Sequence, residues 1–163
     1  MTNTKGLTTN KRLAITAMFI ALSVIGAYLK LPSPTGTVAL DSLPGFLASL
    51  LFGPVVGCVS IFLGHIASSL IAGFPLTLPL HLGIALCMTL AALIYYQVAK
   101  RGDRGLVVAT VLAIIINGPI MGLLVVPVGG MAMYYAMLLP LSVGSAVNII
   151  LSSVLYRVVK NRI

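Results

Sequence analysis

The chain has no glutamate and no tryptophan, and only two acids, Asp41 and Asp103, against ten lysines and arginines. No Gly-rich Walker A stretch ending in Gly-Lys-Ser/Thr is present, so ATP hydrolysis by that route is excluded. Neither a Gly-x-Ser-x-Gly elbow nor a glutamate pair supports an intramembrane protease, and an enzyme is not expected. A proton- or sodium-coupled carrier usually holds a titratable acid near the membrane midplane. Asp41 is the only acid here that can face the membrane or its outer surface, which weakens secondary transport and leaves His65 as the alternative proton carrier. The two cysteines, Cys58 and Cys87, lie within apolar runs and lack metal-ligand spacing, so they read as small packing residues.

Charge is scarce as well. Only 7% of the 163 residues are charged and 60% are hydrophobic, with a mean hydropathy of +1.15. Soluble domains carry about 25% charged residues, so this chain cannot cover itself in water. It is expected to be an all-α, polytopic integral membrane protein with one membrane domain. Its leading apolar segment is kept as a mature helix, because no clear small-residue cleavage site follows Tyr28.

At about 20 apolar residues per crossing, six helices fit. They are expected over 11–28, 43–52, 54–72, 79–99, 105–126 and 134–159, separated by "LKLPSPTGTVALDS", Gly53-Pro54, "GFPLT", "KRGDRG" and "VPVGGM". Lys5, Lys11 and Arg12, then Lys100, Arg101 and Arg104, then Arg157, Lys160 and Arg162 form three basic clusters at alternate helix ends. By the positive-inside rule, six crossings with both termini inside place every basic residue but Lys30 in the cytoplasm. Five crossings would strand the last cluster outside. The +8 net charge therefore points to topology, not to nucleic acid. The six tyrosines fall near the expected helix ends and stand in for the missing tryptophan belt.

The second helix is the anomaly. Ten residues of helix rise about 15 Å against a core of about 30 Å. Either the helix begins nearer Val38 or its outer end dips inward with the loop, and irregular backbone at that depth must line a cavity or be buried in protein. Asp41, just before this helix, can cap its free N–H groups or contact a ligand. His65 lies mid-way along the third helix, and His81 near the outer start of the fourth. Asn117 is central in the fifth, flanked by Gly118 and Pro119. Polar groups at such depth are paired or functional. Ser142, Ser145, Asn148 and Ser152 form one polar stripe on the sixth helix, and interhelical bonding is the favoured reading for Asn148 and the serines. Ser60, Gly64, Ser68 and Ala72 make a small-residue ladder on the third, which permits close bundle packing.

Taken in order, a basic N-terminus, Ala17-Met-Phe-Ile-Ala21, a long outer loop, and a short helix ending "LFGPVVG" before a small-residue helix resemble the substrate-binding S component of an energy-coupling factor (ECF) vitamin transporter. The resemblance implies a six-helix bundle that binds a vitamin or precursor near its outer face. The site is then built from the first loop and helices four to six. It further implies that Ala17 and Ala21 dock against a transmembrane coupling subunit driven by two ATPase subunits, in the cell membrane and with no cofactor of its own. Within that family the stretch from Asp41 to Ala85 is most similar to the branch for α-ribazole, a cobalamin precursor. Asp41, His65, His81, Asn117 and Ser142 are the candidate polar contacts, and Tyr134 and Tyr135 the candidate ring neighbours. Riboflavin or thiamin fit nearly as well. A rival reading makes His65 and His81 axial ligands of a haem in an electron-transfer protein, although their different depths make that awkward.

Overall fold

In a computed structural model the chain is described over residues 8–34 and 38–160. Lys5 and Arg162 of the basic clusters, and residues 35–37 of the first loop, lie outside that range. Within it, six α-helices follow one another: α1 (Thr9–Gly26), α2 (Leu43–Phe52), α3 (Pro54–Ile71), α4 (Leu78–Ala99), α5 (Asp103–Ile115) and α6 (Val126–Val159). Among the described residues there is no strand, only an isolated antiparallel bridge between Lys30 and Ala39. Three stretches of the described residues are long and apolar enough to cross a membrane, Pro54–Ile71, Leu78–Ala99 and Asp103–Val159, and Leu43–Phe52 is a shorter apolar helix.

The short helix is explained by its surroundings. α2 packs against α1, α3, α4 and α6 at once, and seven of its ten residues are buried. A helix enclosed by protein has no need to match lipid thickness. Gly53 turns the chain at φ 87°, and α2 and α3 then run back to back. A Cβ on Gly57 would run into the Ser49 side chain, and one on Gly45 would stand 2.5 Å from Ile61. The ladder on α3 continues this close approach to α1, where Gly64 abuts Ser23 and the Ser68 hydroxyl donates to the Ser23 carbonyl at 3.4 Å. These small residues pack the bundle.

The long stretch from Asp103 is two antiparallel passes. Gly130 breaks it at φ 66°, and the partners Asp103–Lys160, Thr110–Ser153 and Asn117–Ser145 pair across that bend. The α-helix of α5 stops at Ile115, where a regular helix over 105–126 was expected. Pro119 has no N–H, and its ring collides with the carbonyl four residues back in a regular helix. The backbone widens into a π turn over Ile116–Ile120, followed by a 3₁₀ turn at Leu123–Val125.

Not all six tyrosines stand at the helix ends facing outward. Tyr95 and Tyr156 are buried. The Tyr95 ring meets Phe46 edge-on, and its hydroxyl shares a hydrogen with Ser153 at 2.6 Å, so its polar tip is satisfied inside the bundle. Cys58 and Cys87 are free and half-buried.

Candidate functional site

At the end of the bundle opposite the Lys100–Arg104 turn lies a cavity of about 310 Å³, within the range of small-molecule pockets. Loop residues 27–30 and 38–42, the last turns of α3, the first turns of α4, the π turn and the middle of α6 all contribute to its wall. Leu76, Ile84, Met88, Met121, Val125 and Met137 supply apolar lining, and polar side chains stand among them.

Asp41 lies one residue before the N-cap Ser42, whose own side chain makes no cap hydrogen bond. The cap role open to Asp41 in the sequence is not the one it plays. A carboxylate oxygen of Asp41 instead faces Nδ1 of His65 at 3.1 Å. The other ring nitrogen of His65 lies 3.3 Å from the Ser69 hydroxyl, one helical turn further along α3. Ser69 in turn lies 2.9 Å from Nδ1 of His81, which is itself 3.3 Å from Nε2 of His65. Four side chains from the loop, α3 and α4 thus form one hydrogen-bonded chain. Its far end, Nε2 of His81, is buried and has no partner among the described residues.

Asn117 sits in the π turn, which frees it from regular helical register. Its amide nitrogen donates to Ser145 of α6 at 3.0 Å, and its Oδ1 is buried, again without a partner among the described residues. Buried polar atoms are nearly always paired, because an orphan costs about 1–3 kcal/mol. Both orphans belong to residues that line this one cavity.

Asn148 also lines the cavity and fastens its cover. Its Oδ1 accepts the Leu43 N–H at 2.8 Å, and its Nδ2 donates to the carbonyls of Ala39 and Gly144. The loop crosses α6 at Gly144, where a Cβ would meet Val38 at 2.5 Å.

Of the sequence candidates, Asp41, His65, His81 and Asn117 are brought to this one cavity. Tyr134, Tyr135 and Ser142 are not among its lining residues. The two tyrosine rings lie against each other, 5.6 Å apart between centres, with Tyr135 exposed. The Ser142 hydroxyl donates back to the Leu138 carbonyl of its own helix. Ser69 and Asn148 join the site without having been candidates. Ser69 stands four residues after His65, the spacing that puts two side chains on one helix face. The mutual contact of the histidines does not suit axial haem ligation, since such a pair must stand on opposite faces of a porphyrin. Among the described residues no group of three His, Cys, Asp or Glu side chains is placed to hold a metal ion.

A family profile described as "ECF transporter, substrate-specific component" matches residues 11–159. The chain is similar to a solved structure described as the S component of a bacterial ECF transporter, with a TM-score of 0.70 at 21% identity. That likeness covers 95% of this chain and 96% of the other, and it shows a common fold. No curated protein sequence matches.

Proposed function

This chain belongs to the family of substrate-specific components of ECF transporters, and on that premise we propose that it captures a heterocyclic vitamin or vitamin precursor in the cavity beneath the first loop. Members of this family are substrate-binding transporter subunits, not enzymes. The observation that carries the proposal is the pairing of an apolar lining with two buried orphan atoms, Nε2 of His81 and Oδ1 of Asn117. A ring system seats against the methionines and aliphatic residues. Its polar substituents reach the orphans. α-Ribazole, with an apolar benzimidazole at one end and a hydroxylated sugar at the other, is our preferred ligand. Riboflavin and thiamin are its competitors.

The bundle is read as six crossings with both termini inside, which places the cavity on the outer face of the cell membrane and the Lys100–Arg104 turn in the cytoplasm. Ala17 and Ala21, both exposed on α1, form the proposed docking surface for a transmembrane coupling subunit with its two ATPases. Ligand enters from outside, the loop closes over it, and the partners supply the energy for release inward.

The test is mass spectrometry of small molecules that co-purify with the protein, followed by calorimetric titration with α-ribazole, riboflavin and thiamin in the absence of ATP. One heterocycle binding at unit stoichiometry is the expected result. If none of the three binds and no small molecule co-purifies, the chain does not act as a capture subunit.

A further inference from the structure

The geometry points to a hydrogen-bond relay, Asp41–His65–Ser69–His81, that fixes Nε2 of His81 as an acceptor and so selects ligands that present N–H or O–H donors at the buried end of the cavity. This inference rests on the capture reading for its ligand, but the relay itself can be tested without one.

The polarity follows from the contacts taken in order. The Asp41 carboxylate can only accept, so Nδ1 of His65, 3.1 Å away, carries a hydrogen. In a neutral imidazole the other nitrogen then accepts. Nε2 of His65 is met at 3.3 Å by the Ser69 hydroxyl, which donates its one hydrogen there. The Ser69 oxygen, having no further hydrogen, accepts from Nδ1 of His81 at 2.9 Å. The direct contact between Nδ1 of His81 and Nε2 of His65, at 3.3 Å, has the same sense. With His65 neutral, both routes place the hydrogen of His81 on Nδ1. Its Nε2 is left as a bare lone pair on a residue only 3% exposed.

Running the chain the other way with neutral rings fails. If Ser69 donated to His81, the lone pairs on Nε2 of His65 and Nδ1 of His81 would face each other at 3.3 Å. Neither would have a hydrogen between them.

Asn117 has the same polarity. One hydrogen of its amide nitrogen goes to Ser145, and the orphan atom is the carbonyl oxygen, again an acceptor, on a residue only 4% exposed. A carboxylate or phosphate oxygen set against either atom would oppose lone pair to lone pair. Lys30, the one lysine or arginine among the described lining residues, is exposed and stands in the covering loop. The ligand class is therefore a neutral or cationic ring compound whose buried end carries at least two donors, as the hydroxyls of a nucleoside sugar do.

Because the chain contains only two histidines, ¹⁵N-histidine labelling of the purified protein gives a spectrum of two rings. The expected result is two neutral rings, each protonated at Nδ1 and bare at Nε2. Asp41→Leu, which removes the acceptor at the start of the relay, should shift the His81 tautomer although Asp41 makes no hydrogen bond to that ring. Asp41→Asn keeps an acceptor oxygen and should restore the original pattern. On titration with α-ribazole the Nε2 signal of His81 should move while remaining unprotonated. A wild-type spectrum with hydrogen on Nε2 of His81, or with His65 doubly protonated, overturns the relay, and that measurement needs no variant to fold. If the tautomers are as expected but no heterocycle binds, the relay stands and the capture reading falls.

Discussion

Asn148 holds the backbone of Leu43 at 2.8 Å and that of Ala39 at 2.9 Å, so a single carboxamide on α6 fastens both the cavity cover and the start of α2. The flanking Ser152 hydroxyl donates to the Leu43 carbonyl at 2.9 Å. The loop that bears Asp41 is therefore fixed to a helix that also lines the cavity. Replacing Asn148 by alanine orphans a half-buried N–H and a buried carbonyl. The expected cost is about 2 kcal/mol of stability, read as a lowered melting temperature in detergent. Weaker ligand binding should accompany it, because Asp41 loses its support. Unchanged melting and binding would show that the loop is held by other contacts.

The glycines of α3 make a second prediction. A side chain at Gly64 would press on Ser23, with Cβ to Cβ only 2.6 Å apart. Overpacking of a close helix crossing costs about 1–3 kcal/mol, and here it would force α1 away from α3. Gly64→Val should lower the melting temperature markedly. Gly83→Val on α4, where the nearest atom to an added Cβ is 3.9 Å away, should have little effect. Equal effects at the two positions would contradict the crossing described.

How much of this is legible in the sequence depends on whether the cause is local. Gly53-Pro54, "GFPLT" and "KRGDRG" mark turns because glycine and proline act on their own backbone, and the turns fall there. The flanking of Asn117 by Gly118 and Pro119 is visible in sequence, but the close approach of α6, whose Ser142 backbone lies 3.1 Å from where a Gly118 Cβ would be, is not. Asp41 reads locally as a helix cap because its actual partner, His65, is 24 positions away. Ser69 gives no comparable signal, because a lone serine in an apolar helix usually bonds its own backbone, as Ser142 does. Tyr134 and Tyr135 have the chemistry of a ring clamp, but the bend at Gly130 leaves them outside the lining.

Deleting either orphan should weaken binding without disturbing the fold. His81→Ala and Asn117→Ala each remove one acceptor for the ligand, and a hydrogen bond lost at a buried group is worth about 1–3 kcal/mol. The Kd for α-ribazole, or for whichever heterocycle co-purifies, should rise about tenfold or more in each variant. Melting temperatures without ligand should fall only modestly, since each substitution removes an unsatisfied buried atom but also unpairs Ser69 or Ser145. Affinity unchanged in both variants would remove these residues from the binding site.

The last prediction concerns the opposite requirement, a surface that must stay small. On α1 the residues turned inward are Phe19, Ser23 and Gly26, while Ala17 and Ala21, one turn apart, are exposed. Two alanines four residues apart let another helix approach closely, and leucine at both would hold it off. Because neither side chain is needed inside the bundle, Ala17→Leu with Ala21→Leu should leave folding and ligand affinity intact. Co-purification with the transmembrane coupling subunit and its ATPases should be lost, and uptake by whole cells with it. The pattern is diagnostic because the cavity and the docking surface fail separately: His81→Ala should impair capture while preserving the complex, and the alanine pair should do the reverse. If the leucine variant still assembles, the coupling subunit docks elsewhere on the bundle.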